Sequence, residues 1–273
     1  MVVNKKEKKI TMTAKKIIVI NEKGGVGKSS IAFNCAYELS REARVLMIDL
    51  DAQRANLSWM AGVMDQKDDN GKITIAKDSY LTMFDVMTGA NTIHECIVQT
   101  KDNLDLIPAN SKVLSFSRVS SERKFKNALK EVENEYDYIF IDVDPTPSLT
   151  HKVALMVTEY VIIPMLPDFL SLEADVGVID DISDTKDFNK DLKVLGIVFN
   201  KCNDRLKLTK TCVTQAEELA SNLQTSVFNT RIRNAVSLSE CPFWHTGVTE
   251  YDPDSGISQD IRDLVAEIKE KTK

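Results

Sequence analysis

Lys23-Gly24-Gly25-Val26-Gly27-Lys28-Ser29 is the stretch on which the reading of this chain turns. It follows the apolar, β-branched run Ile17 to Ile20 and precedes a helical pattern over Lys28 to Ser40, so it lies where a strand hands over to a helix. Gly24, Gly25 and Gly27 allow the backbone to curl until its N–H groups converge on one point, and the helix starting near Lys28 adds its positive end there. That is a cradle for phosphate. Lys28 can neutralise β- and γ-phosphate charge, and the Ser29 hydroxyl suits a Mg²⁺ that bridges the two phosphates. The expected ATP contacts are Lys23, Gly24, Gly25, Val26, Gly27, Lys28, Ser29 and Ser30. The usual G-x-x-x-x-G-K-[ST] spacing wants a glycine where this chain has Glu22. A second cation, Lys23, stands at the loop mouth, able to reach its own nucleotide or that of a facing subunit.

Outward from the loop, short apolar runs alternate with longer helical stretches. The strand candidates are Ile17 to Ile20, Val45 to Ile48, Leu104 to Ile107, Tyr138 to Ile141, Tyr160 to Ile163 and Val194 to Phe199, with a shorter run at Ser226 to Phe228. Between them lie helical candidates at Lys28 to Ser40, Arg118 to Glu133, Leu170 to Ile182, Thr209 to Asn222 and Ile257 to Glu270. Near-continuous apolar strands alternating with helices predict an α/β fold: a doubly wound, mostly parallel sheet with helices on both faces. Residues 1–15 read as a basic, flexible tail, and 16–273 as a single P-loop ATPase domain. The polar stretch Asp65 to Ser79 is expected to be a surface excursion.

The bulk numbers limit the function classes. With 43% hydrophobic and 28% charged residues, the chain has the make-up of a packed domain and little room for long disorder. A formal charge of -6 means that contact with nucleic acid must come from local basic patches. Cys35, Cys96, Cys202, Cys212 and Cys241 form no C-x-x-C pair, which argues against a disulfide framework or a cluster site and for a reducing cytoplasm. No apolar leader precedes Ile17, and the last helical face, Ile261, Leu264, Val265 and Ile268, reads as docking on the body, so no membrane association is expected.

Two further carboxylate segments join the loop. Val45-Leu46-Met47-Ile48-Asp49-Leu50-Asp51-Ala52-Gln53 carries two carboxylates at i and i+2 past a strand end, from where Asp51 could orient or deprotonate an attacking water. Tyr136-Asp137-Tyr138-Ile139-Phe140-Ile141-Asp142 is an apolar strand ending in a carboxylate that can hold a metal-bound water. Asp144, two residues on, is either a third carboxylate near the γ-phosphate or a solvent-facing turn residue. Asn200, closing Gly196-Ile197-Val198-Phe199-Asn200-Lys201, either matches the N6/N7 edge of adenine or caps the strand end.

These segments together resemble the ParA/MinD family of deviant Walker A ATPases, from about Lys16 to the C-terminal helix. The first matches that family's signature loop, the second its switch segment with Ala52 in place of the common proline, and the third its Walker B strand. Asp144-Pro145 stands where the family commonly has two prolines. Val161-Ile162-Ile163-Pro164 with Leu170-Ser171-Leu172-Glu173, Thr230-Arg231-Ile232-Arg233 and Tyr251-Asp252-Pro253 extend the likeness. The resemblance implies that Lys23 contacts nucleotide across a sandwich dimer. It further implies ATP and Mg²⁺ as cofactors, a homodimer with ATP, non-specific binding of double-stranded DNA, and release by hydrolysis that a ParB-like centromere-binding protein stimulates. A plasmid or chromosome partition protein of the small Soj-like kind, cytoplasmic and nucleoid-associated, is the expectation. The alternative is a MinD-like positioning ATPase at a membrane. Arg231 and Arg233 are the candidate DNA contacts; the other readings are that they line the nucleotide pocket or pair with Glu240.

Overall fold

A computed structural model of the protein describes residues 13–51, 54–63, 65–67, 73–75, 80–115, 122–146, 148–168, 176–203 and 206–273. Of the sequence expectations, most of the basic tail, Ala52-Gln53 and Leu170-Ser171-Leu172-Glu173 lie outside the described residues.

Among the described residues nine strands form: β1 (Lys15–Val19), β2 (Val45–Asp49), β3 (Asp65–Lys67), β4 (Ile73–Ile75), β5 (Val98–Lys101), β6 (Leu104–Ile107), β7 (Tyr138–Asp142), β8 (Tyr160–Met165) and β9 (Lys193–Phe199). Seven of them build one sheet in the order β5-β6-β2-β7-β1-β8-β9, and β3 pairs with β4 in a separate antiparallel hairpin. Every neighbour pair in the large sheet is parallel except β5 with β6. The doubly wound α/β expectation therefore holds, with an antiparallel edge added.

Alternation along each central strand divides the core in two. Ile18, Ile20, Leu46, Ile48, Ile139 and Ile141 pack on one face with Phe125, Leu129, Leu155, Ile182 and Ala216. Ile17, Val19, Met47 and Phe140 pack on the other with Ile31, Phe33, Leu39, Ile261, Leu264 and Ile268. Since side chains of a strand point alternately to opposite faces, an unbroken apolar strand such as Tyr138–Asp142 can feed both cores at once.

Several element limits differ from the sequence reading. The helix expected from Leu170 is described as Val176–Phe188, reaching beyond Ile182, and the one expected from Arg118 is described as Glu122–Val132. The run Ser226 to Phe228 makes a single parallel bridge, Ile197 to Val227, and not a strand. The C-terminal helix spans Gly256–Lys271 and buries Ile257, Ile261, Leu264, Val265 and Ile268 against the body.

Candidate phosphate-binding site

The register of the sheet assembles the site. Val19 of β1 and Asp49 of β2 both sit beside Asp142 of β7, so the loop after β1 leaves the sheet beside two carboxylates. All three strands are parallel, which places their carboxyl ends on the same edge, where α/β sheets bind ligands.

The loop is held from both sides. Asn21 donates from Nδ2 to the Pro164 carbonyl at 2.8 Å, while its Oδ1 accepts from the Lys23 amide at 2.6 Å. From β9, Asn200 donates Nδ2–H to the Val26 carbonyl at 2.8 Å, and Lys201 Nζ reaches the Gly25 carbonyl at 3.1 Å. Gly27 adopts φ +97°, and a Cβ built there would run into the Asn200 carboxamide. A glycine is required at that position by backbone conformation and by close approach together. Gly27 is also the N-cap of helix Lys28–Leu39, which has no side-chain cap hydrogen bond and no acid in its first turn. The amide donors at that helix start therefore lack a side-chain acceptor and can turn to an anion.

Around the cradle, Gly24, Gly25, Gly27, Lys28, Ser29, Ser30 and Asp51 line one cavity of about 210 Å³, which Arg54, Asn56, Met60 and Pro145 complete. Lys28 is only 7% exposed. Burial lowers its ammonium pKa, and the neighbouring Asp142, Asp51 and Asp144 carboxylates oppose that shift. Asp142 is fully buried, and neither carboxylate oxygen accepts a hydrogen bond of standard geometry. Burial, followed by the charge of Asp49, raises its pKa well above the carboxylate range, and the nearby Ser29 hydroxyl and Lys28 oppose the rise. A buried, unpartnered carboxylate beside a serine hydroxyl is a poor structural group and a good place for a hydrated cation. Among the described residues, no cluster of three or more His, Cys, Asp or Glu could hold a metal ion by itself. The donors present thus suit Mg²⁺ that draws its remaining ligands from phosphate and water.

Asp51 is 3% exposed, and its Oδ1 accepts from the Arg54 amide at 3.0 Å. Asp49 ties Asp51 and the helix Asn56–Met60 to the end of β2. Its carboxylate accepts the Asp51 amide at 2.9 Å, the Ser58 amide at 2.9 Å and the Ser58 hydroxyl at 2.6 Å. Burial raises its pKa to about 7, with those hydrogen bonds opposing. The sequence signal for this role was present in the i, i+2 spacing of the two acids. Ser58 and Arg54 carried no such signal.

The structure assigns definite surroundings to the remaining candidates. Lys23 Nζ forms an ion pair with Asp168 of the same chain at 3.0 Å. Asn200 is 1% exposed, its Oδ1 accepts the Lys201 amide at 2.8 Å, and its Nδ2 serves Val26. Both polar atoms of the carboxamide thus make a contact at the end of β9, as the strand-end reading expects. The Asp144 side chain, near Lys28 and Asp51, accepts from the Thr146 amide at 2.7 Å, and its carbonyl is 2.7 Å from Nε2 of the buried His151. Arg233 does not pair with Glu240: it is bound through Nε and Nη2 to Asp260, each at 2.7 Å. Arg231 and Arg233 lie together in a separate, larger concavity of about 840 Å³ whose wall also holds Asp260, Asp263 and Glu267.

The chain is similar to several known proteins. A family model described as an AAA domain (AAA_31) matches residues 14–194. The chromosome partitioning protein ParA of Myxococcus xanthus is 30% identical over 86% of this chain and 81% of its own length. The sporulation initiation inhibitor protein Soj of Bacillus subtilis is 29% identical over 92% of this chain and 97% of its own. Among solved structures, a plasmid partition protein of Borrelia burgdorferi bound to AMPPNP superposes with TM-score 0.72 at 25% identity, covering 95% of this chain and all (100%) of that one. The septum site-determining protein MinD of Pyrococcus horikoshii shares the fold, with TM-score 0.73 at 22% identity over 93% of this chain and 96% of that one.

Proposed function

Because this chain belongs to the ParA family of P-loop ATPases, we propose that it is a partition ATPase. ATP and Mg²⁺ close it into a sandwich dimer, the dimer holds double-stranded DNA without regard to sequence, and hydrolysis releases it. The observation that carries this reading is the buried Asp142 carboxylate, which accepts no hydrogen bond of standard geometry, beside Ser29 and under a helix start whose amides lack a side-chain cap. Relatives whose own descriptions name partition and an ATP analogue support it.

In the proposed turnover, the loop amides and Lys28 hold the β- and γ-phosphates, and Lys23 leaves Asp168 to meet the partner subunit's nucleotide. Ser29 and Asp142 would hold Mg²⁺, which would supply positive charge against the phosphates. Asp51 orients a water in line with the γ-phosphorus and takes its proton as the new P–O bond forms and the bond to ADP breaks. Asp49 holds Asp51 in that position through its amide. A ParB-like, centromere-bound partner would quicken this step, and association with the nucleoid would follow from the DNA contact.

The C-terminal helix has its apolar face buried on the body, which leaves that face unavailable to a bilayer. Among the described residues, no helix is long and apolar enough to cross a membrane. The test is retention of the protein by a mixed-sequence duplex or by anionic lipid vesicles, each with ATP and with ADP. Retention by DNA with ATP alone is expected. ATP-dependent retention by vesicles and not by DNA would replace the proposal with a MinD-like positioning role.

A further inference from the structure

The two arginines singled out by sequence share their concavity with Asp260, Asp263 and Glu267, and Arg233 is held by a bidentate pair. Other cations are balanced in the same way. Lys16 shares a concavity with Glu133 and Glu159 and pairs with both, and Lys269 shares one with Glu42 and pairs with it. A different concavity, of about 540 Å³, breaks this rule. Its wall contains Lys186, Lys190, Lys193 and Lys271, with Gln224, Thr225 and Ser226, and no carboxylate.

Three of the lysines come from three separate elements, and Lys190 lies between the first two. Lys186 belongs to helix Val176–Phe188, Lys193 opens β9, and Lys271 ends the C-terminal helix. Lys271 Nζ donates to the Ser226 hydroxyl at 2.9 Å and lies 5.2 Å from the centre of the Phe228 ring, while Lys186 Nζ donates to the Leu223 carbonyl at 3.1 Å. These neutral partners fix the ammonium groups without cancelling their charge. Lys190 lies 3.6 Å from Asp187, a pair with both side chains at least 75% exposed, which water and salt weaken. In a chain of net charge -6, four cations around one acid-free hollow concentrate positive charge that the net value does not reveal.

We infer that this hollow is a nucleic-acid contact, taking the phosphate backbone of double-stranded DNA through Lys186, Lys190, Lys193 and Lys271. The inference rests on the partition reading and names its DNA surface. Acid-free walls with four lysines, Gln224, Thr225 and Ser226 beside Leu192, Val194 and Leu195, and no aromatic platform, suit backbone phosphates and not bases, which accords with binding indifferent to sequence. Lys193 stands at the amino end of β9, whereas the ATP cradle follows the carboxyl end of the parallel strand β1. The hollow is therefore at the opposite edge of the sheet, clear of a dimer interface that closes over nucleotide. Each subunit carries it in either nucleotide state. Dimerisation over nucleotide puts the two hollows on opposite sides of one body, so ATP raises avidity for DNA long enough to reach both.

The experiment is fluorescence anisotropy of a labelled mixed-sequence duplex titrated with the full chain at several salt concentrations, with ATP and with ADP. Lys190→Glu/Lys193→Glu should weaken binding at least tenfold and reduce the slope of log affinity against log salt by roughly 0.9 for each phosphate contact removed. Lys190→Arg/Lys193→Arg should keep both. Lys112→Glu/Arg123→Glu, which makes the same charge change outside the hollow, should have a much smaller effect, and melting curves establish that each variant is folded. If the wild type binds DNA with ATP but the hollow and control variants lose affinity equally, or neither loses any, the assignment of this surface is wrong while the partition reading stands. If the wild type with ATP ignores DNA, the partition reading itself fails, and this inference with it.

Discussion

Replacing the cradle glycines one at a time by alanine should produce a graded series whose order the backbone dictates. Gly24 has ordinary φ and open space within 4 Å of a built Cβ, so Gly24→Ala should leave folding stability nearly unchanged. Gly25 also has open space but φ +79°, so alanine there carries only the left-handed backbone cost, about 1–2 kcal/mol. Gly27→Ala suffers twice. It sits at φ +97°, and its Cβ would displace the Asn200 carboxamide, which is 1% exposed and bonded to the Val26 carbonyl. Backbone strain of about 1–3 kcal/mol adds to about 1–3 kcal/mol for a buried polar group that loses its partner. At roughly 2–4 °C per kcal/mol, Tm should fall by on the order of 10 °C. Differential scanning fluorimetry of the three nucleotide-free variants reads this order directly. If Gly27→Ala melted with Gly24→Ala, the bracing of the loop by Asn200 would be refuted.

Three other outcomes follow from the same geometry. Asp51→Ala should retain ATP and accumulate as dimer while hydrolysis falls roughly 100-fold or more, as measured by phosphate release; an unchanged rate would remove Asp51 from the chemistry. Asp168→Asn should loosen the 3.0 Å restraint on Lys23 and shift ATP-dependent dimerisation to lower protein concentration by light scattering, with Tm changed little because the pair is partly exposed. Asp49, raised to about 7 by burial against about 3.9 when unfolded, keeps its proton longer in the fold, so its contribution to stability of the nucleotide-free protein declines as pH rises from about 4 through 7. The Tm of Asp49→Asn should fall less over that interval than the wild type's, and an equal fall would contradict the shift.

Much of this arrangement was legible in the sequence because local pattern and tertiary context agreed. The loop glycines, the strands ending at Asp49 and Asp142 and the apolar face of the last helix each carry their meaning within a few residues. Strand β5 did not, since Val98-Gln99-Thr100-Lys101 lacks an apolar run and pairs as an antiparallel edge that only the fold can supply. Asn200 has two uses compatible with its chemistry, and its bond to Val26, 174 residues away in sequence, is visible only in the fold. Arg231 and Arg233 show their charge in the sequence but not their partners, and the carboxylate that binds Arg233 lies 27 residues further on. The four-lysine hollow was unreadable for the same reason: its members are spread from Lys186 to Lys271 and meet only when helix, strand start and chain end come together.

The central claim, that the loop after β1 is an ATP site, is tested most directly by isothermal titration of Mg-ATP into the wild type and Lys28→Ala. Lys28 is buried in the cradle, and its charge is the one best placed to offset the β- and γ-phosphates. The account predicts saturable binding by the wild type and none detectable by the variant at the same concentrations. Equal affinity in the two, with the variant shown to be folded by its melting curve, would contradict it.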